Sequence, residues 1–180
     1  MSTTPSEISL YADAARTYVF NAIKVELDGS ETSLAFADHY IDTMARRSEE
    51  ALADDVLELI GPALGAYFGE VAIAKFGGRW STAGEDSATW RVALEAAPLE
   101  FSPVAMAMTA LRSAEVPGWD ATLETTLGHR ATLEQALAAS PPVDERYFYS
   151  LTGRLEVIAQ VAELLIELER QKHEQQQTKN

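Results

Sequence analysis

Hydrophobic residues recur at three- and four-residue spacing along most of this chain, and at two-residue spacing in a short middle stretch. Ile8, Tyr11, Ala14, Ala15, Tyr18, Val19 and Ala22 follow the helical period, which predicts a first helix running to about Glu26. Thr4-Pro5-Ser6-Glu7 fits a capping box, with Pro5 at the first helical position and Glu7 reaching back to Thr4. Asp28-Gly29 breaks the pattern. A second helix is predicted over about residues 32–47, with Leu34, Ala37, Ile41 and Met44 inward. Ser48 is the expected cap of a third, with Glu49 and Glu50 suited to the positive end of its dipole.

Leu52, Val56, Leu57 and Ile60 carry that third helix into Gly61–Trp80, GPALGAYFGEVAIAKFGGRW. Gly61, Gly65 and Gly69 recur every four residues and form one stripe without side chains. Each glycine costs a helix roughly 1 kcal/mol against alanine, and the usual compensation is a second backbone packed close to the stripe. Pro62 cannot donate its backbone hydrogen bond, so a kink or restart is predicted near Gly61. Gly77-Gly78 stops the helix.

The period then changes. Trp90, Val92 and Leu94 alternate with Thr89, Arg91, Ala93 and Glu95, as in a half-buried strand. Arg79-Trp80-Ser81 is expected to pair with it through the polar turn at 83–87. Leu99-Glu100-Phe101 reads as a third strand, which Pro98 favours at a sheet edge. Ser102-Pro103 restarts helix, with Val104, Ala107, Met108 and Leu111 inward and Pro117-Gly118 as its end. Between Trp119 and Ala139 the signal is mixed, with Asp120 as a cap and Leu123, Leu127, Leu133 and Leu137 as anchors.

Pro141-Pro142 breaks the chain before a final helix over about 144–173. Leu151, Leu155, Ile158, Ala162 and Leu165 mark its inner face, and Val157, Val161, Leu164 and Leu168 widen it. So broad a face suits a packed bundle member better than a two-stranded coiled coil. The glutamine-rich residues 174–180 read as a disordered tail. The predicted fold is α+β and mainly helical: about six helices, with a small antiparallel sheet of two to three strands inserted after the third, in one globular domain over 1–180.

Charge changes this picture. The 180-residue chain carries a formal charge of −14, and residues 1–60 hold four Lys/Arg against twelve Asp/Glu. Such a field repels nucleic acid and anionic membranes and attracts basic partners. With no cysteine, disulfides, thiolate metal sites and cysteine nucleophiles are excluded. No basic region followed by an apolar run opens the chain, and no apolar segment approaches about 18 residues without a charge. A cytoplasmic protein with neither nucleic-acid nor membrane partner is therefore expected.

Motifs for chemistry are sparse. His39 and Asp42 share a helical face, but the Glu-x-x-His pattern of carboxylate-bridged bundles and the His-Glu-x-x-His pattern are both absent, so no metal is expected. Gly-x-Ser-x-Gly, Ser-x-x-Lys, the dinucleotide fingerprint and the P-loop are missing as well, and no catalytic residue or cofactor is assigned. Glu70, Arg79, Trp80 and Tyr67 remain as ligand-binding candidates. Their structural reading is a buried Glu70–Arg79 pair locking helix to strand. Tyr147, Phe148 and Tyr149, with Tyr67 and Trp90, are candidates for an aromatic groove.

LGAYFGEVAIAKFGGRW, with its acidic helical lead and the later LEFSPVAMAMTAL, resembles a family of uncharacterised bacterial proteins sharing an L-G-x-Y-x-G-E-V…G-G-x-W motif. The motif falls on Leu64, Gly65, Tyr67, Gly69, Glu70, Val71, Gly77, Gly78 and Trp80. The resemblance brings no catalytic residues with it. Its small acidic members suggest products of toxin-neighbouring genes.

The functional expectation is a non-enzymatic interaction protein of the immunity or adaptor kind, binding a basic partner such as a toxin or regulator. Asp38, Asp42, Glu49, Asp54, Asp55 and Glu58 are the partner-binding candidates, and their neutralisation is expected to slow association without loosening the fold. A homo-oligomer through the last helix is a further possibility. The alternative is a small-ligand binder or enzyme with a deep pocket around Glu70, Arg79 and the aromatic residues.

Overall fold

The structure, a computed structural model, describes residues 4–47, 52–82, 84–139 and 143–178. Three helices come first, α1 (Ser6–Ile23), α2 (Leu34–Arg47) and α3 (Asp54–Phe76). Strands β1 (Gly78–Thr82), β2 (Arg91–Leu94) and β3 (Leu99–Phe101) follow, then α4 (Pro103–Arg112). After these come β4 (Glu124–Thr125), α5 (Leu127–Ala139), α6 (Glu145–Tyr149) and α7 (Leu151–Thr178). The fold is α+β and mainly helical, with a small antiparallel sheet after the third helix, as the hydrophobic pattern predicts.

The glycine stripe is the centre of the packing. A Cβ placed on Gly65 would sit 2.6 Å from the Val104 Cα and 2.9 Å from its backbone nitrogen. On Gly69 it would meet the Trp80 indole at 2.6 Å, and on Gly61 it would run into the Met108 sulfur. The missing side chains thus let the backbone of α4 lie against α3 and let Trp80 fill the lower end of the contact. Every residue of α4 from Pro103 to Leu111 is buried, as are thirteen residues of α3. Among the described residues α3 alone is long and apolar enough to cross a membrane, but 72% of its most apolar window is buried within the fold. Its apolarity builds the core.

Around this pair the buried hydrophobic residues form one contiguous cluster. Ile8, Ala12, Ala15 and Val19 bring α1 to α3, and Leu34, Ala37 and Ile41 turn α2 inward. Leu151, Leu155, Ile158, Ala162 and Leu165 are all buried, so α7 packs as a bundle member. In the sheet, Gly78 pairs with Leu94 and Trp80 with Val92, while Val92 also pairs with Phe101. Val92, Leu94, Leu99 and Phe101 bury one face, in the alternation read from the sequence.

Several boundaries differ from the predicted ones. Helix α1 starts at Ser6, one residue later than the capping box requires, with Pro5 outside it and no side-chain cap. It ends where Lys24 turns left-handed at φ 60°, short of Glu26. No restart occurs at Pro62, because α3 continues through it. The carbonyl that Pro62 leaves without an intrahelical donor belongs to exposed Glu58, where water can satisfy it. Strand β3 is not at the edge: β4 pairs beyond it, and the Thr125 hydroxyl donates to the Pro98 carbonyl at 2.7 Å. Asp120 caps a turn at Thr122 and not a helix.

The predicted last helix is two helices. Ser150 is extended, donates its hydroxyl to the Tyr147 carbonyl at 2.8 Å and accepts from the Gly153 amide at 2.9 Å. A side chain on Gly153 would overlap the Tyr147 carbonyl oxygen, so this glycine is what lets α6 close against the start of α7. Helix α7 then continues to Thr178, past the expected end at His173. The predicted caps at Ser48, Glu49 and Glu50 and the break at Pro141-Pro142 lie outside the described residues.

Candidate functional site

Glu70 and Arg79 do not pair. Glu70 Oε2 instead accepts from Arg16 Nη2 of α1 at 2.8 Å, while Arg79 is exposed on β1. Residue 79 pairs with Ala93, whose side of the sheet is opposite the buried Val92 and Leu94, so its side chain cannot reach the α3 core. Trp80 packs against Gly69 and lies edge-on to Trp90, with ring centroids 6.2 Å apart. The aromatic groove expected from Tyr67, Trp90 and residues 147–149 is not formed, since Tyr67 and Trp90 are wholly buried and the other three lie on α6.

Tyr67 acts as a joint. Its hydroxyl oxygen accepts from the Gly29 amide at 3.0 Å and hydrogen-bonds the Ser33 hydroxyl. Because Ser33 donates to the Ser30 carbonyl, Tyr67 is the donor in their shared bond. The Arg16 guanidinium stacks 5.1 Å over the same ring. Burial opposes the charge on Arg16, but the hydrogen bond to Glu70 and the charges of Glu70 and Asp13 outweigh it and raise its pKa. This constellation ties α1, α3 and the 28–33 turn together, and Glu70 is engaged by Arg16 within it.

The acidic candidates separate into different environments. Asp38 Oδ1 accepts from the Leu151 amide at 2.8 Å, and Oδ2 accepts from the Thr152 hydroxyl at 2.6 Å and its amide at 3.1 Å. A carboxylate on α2 thus caps the N-terminus of α7. Asp42 holds Arg146 of α6 through its Nε at 3.0 Å and also through Nη2. Asp54 bridges to Arg112 at 2.8 Å but is 90% exposed, so that pair adds little to stability. Asp55 and Glu58 are exposed on the first turns of α3, and Glu49 lies outside the described residues.

Asp38 and Asp42 share a groove of about 480 Å³ with α4, α6 and the start of α7. Its apolar floor includes Ile41 and Ala110, and Asp144, His39 and Tyr147 complete the polar rim. Asp144 caps α6 by accepting from the Arg146 and Tyr147 amides at 3.0 and 3.2 Å. The groove lining thus holds three carboxylates and one arginine, of which Asp42 alone bonds the guanidinium while Asp38 and Asp144 accept from α7 and α6. Among the described residues no group of three or more His, Cys, Asp or Glu is placed to hold a metal ion. The sequence signals for this groove are Asp144 and Arg146, which follow the Pro141-Pro142 break and by local pattern mark only the start of a helix.

Two titrations follow from the geometry. Burial raises the Asp38 carboxyl above its ordinary value, although the bonds from Thr152 and Leu151 pull it down. A raised native pKa means that this contribution to stability is fully present below the unfolded value and is lost as pH rises through the folded one. Wild type should therefore gain stability relative to Asp38→Asn as pH falls from neutral into the carboxylate range, measured by urea unfolding. The Tyr147 phenol is pushed up to about 12, first by its hydrogen bond to Glu156 and then by burial. Its contribution holds below the usual tyrosine value of about 10 and is lost as pH rises through the folded one. In an ultraviolet titration the one tyrosine lost in Tyr147→Phe should be missing from the alkaline end of the curve; a loss near the usual value of about 10 would show that the Glu156 bond does not form.

Comparison with protein-family models, with characterised proteins and with solved structures finds no match to this chain.

Proposed function

We propose that this chain is a non-enzymatic acidic interaction protein, of the immunity or adaptor kind, that docks a basic protein partner at the groove between α2 and α6. The observation that carries this reading is Arg146, whose guanidinium lies on Asp42 in a groove also walled by Asp38 and Asp144. An arginine of the chain itself occupies the position a partner's arginine or lysine would take. Asp38 and Asp144, although each caps a helix, add negative charge beside Asp42 and favour an incoming cation there. The overall charge of −14 acts at longer range, speeding the approach of a basic partner over about 8–10 Å of salt-screened distance. A cytoplasmic setting belongs to the same proposal.

The test is association rate against ionic strength, with a basic partner captured from the native cytosol at low salt and released at high salt. Variants Asp55→Asn and Glu58→Gln alter exposed charges without touching the groove or the Asp38 cap. Slower association with a shallower salt slope, at unchanged melting temperature, is the expected result. Identical rates and slopes would reduce the acidic surface to a solubilising one.

A further inference from the structure

Arg154 lies in the first turn of α7 and is only 8% exposed. Its Nε and Nη2 are buried and have no hydrogen-bond partner. Those two atoms form one edge of the guanidinium, and their parallel N–H groups match the two oxygens of a carboxylate. Elsewhere among the described residues the buried side-chain polar atoms without partners are Trp80 Nε1 and Arg91 Nη1, one atom in each case. Only Arg154 leaves a complete edge open.

Two aromatic rings pack on this guanidinium. The guanidinium carbon lies 4.6 Å from the Phe148 ring centre and 5.4 Å from that of Tyr149, and the two rings meet edge-on. Ring faces attract a cation but give its in-plane N–H groups no acceptor. Burial lowers the Arg154 pKa, and the charge of Glu115, on the segment after α4, pulls it back only in part. The cover belongs to a five-residue helix whose residues 145–148 are exposed, held down by Arg146 on Asp42 and by the Ser150 turn. Phe148 is itself 39% exposed.

We propose that Arg154 is an anion-binding residue whose Nε–Nη2 edge takes a carboxylate when the Phe148–Tyr149 cover shifts. A carboxylate fits better than a phosphate. The open edge supplies two coplanar donors, and among the described residues the groups that act on it are two rings and the acidic Glu115, none of them a second cation to match a doubly charged group. The Arg154 edge is argued from its own unpaired donors and not from the α2–α6 reading, although the Arg146–Asp42 pair that holds α6 down is common to both.

The test is an NMR titration of the whole chain, carrying nitrogen-labelled arginine, with acetate at constant ionic strength. The Arg154 Nε–H signal should shift saturably, and the Phe148 and Tyr149 ring signals should move with it. Arg154→Lys keeps the charge but lacks the fork, and should weaken the response at least about tenfold. Phe148→Ala opens the cover and should strengthen it. An equal shift with chloride would mean ionic screening alone and would overturn the site. So would no shift, or an undiminished response of the ring signals in Arg154→Lys. A response to inorganic phosphate in place of acetate would overturn the carboxylate assignment, and an unchanged response in Phe148→Ala would remove the cover.

Discussion

Gly65→Ala is expected to destabilise the protein by about 1–3 kcal/mol through overpacking, although the same change gains an isolated helix about 1 kcal/mol of propensity. The decisive point is what the new methyl group meets. At Gly65 the obstacle is backbone, the Cα and nitrogen of Val104, and no rotamer change can move it. Helices α3 and α4 must separate, and with them the core that both line. Gly65→Leu should cost several kcal/mol more and abolish a cooperative transition. Gly61→Ala should be the mildest of the three stripe substitutions, because the obstacle there is the flexible thioether of Met108. Gly69→Ala should fall between, since it meets the rigid Trp80 indole and the Pro103 ring. Urea denaturation of the three variants tests the order. A Gly65→Ala variant as stable as Gly61→Ala would mean that the two backbones do not approach as described.

Asp38→Ala is the second large effect, expected to cost roughly 1–3 kcal/mol from a lost helix cap and newly unpaired donors. The residue was expected to be a surface anion whose neutralisation spares the fold. Its contacts correct that expectation. One carboxylate receives the Leu151 and Thr152 amides and the Thr152 hydroxyl, joining residues more than a hundred positions apart. Losing it should loosen the first turn of α7, seen as faster hydrogen exchange at the Leu151 and Thr152 amides. Unchanged exchange together with unchanged stability would exclude the cap.

The central helix was legible because its signals are local and redundant. A glycine every fourth residue among buried bulky ones leaves few arrangements other than a close helix contact. Alternation from Trp90 to Leu94, and Ser102-Pro103 as a helix start, were equally local. The pairing of charges was not. Glu70 has Arg79 nearby in sequence, but the helix points its carboxylate toward α1, where Arg16 lies fifty-four residues back. Asp38 and Asp42 show only as acids on a helix face until α6 and α7 are folded onto them. The break at Ser150 was the most readable of the missed features, since a serine three residues before a glycine can cap a new helix. The strong apolar period of α7 masked it. Arg154 carried no signal of its own, for an arginine in an amphipathic helix ordinarily reaches solvent.

The functional reading turns on whether Arg146 stands in for a partner's basic side chain. The most direct measurement compares the affinity of wild type, Arg146→Ala and Asp42→Asn for one short arginine-containing peptide at constant ionic strength. Removing the competing arginine should tighten binding by up to about fivefold, the equivalent of an exposed ion pair of about 1 kcal/mol. Asp42→Asn should weaken it. Equal or weaker binding by Arg146→Ala, with its melting temperature unchanged, would contradict a groove built to receive a basic partner.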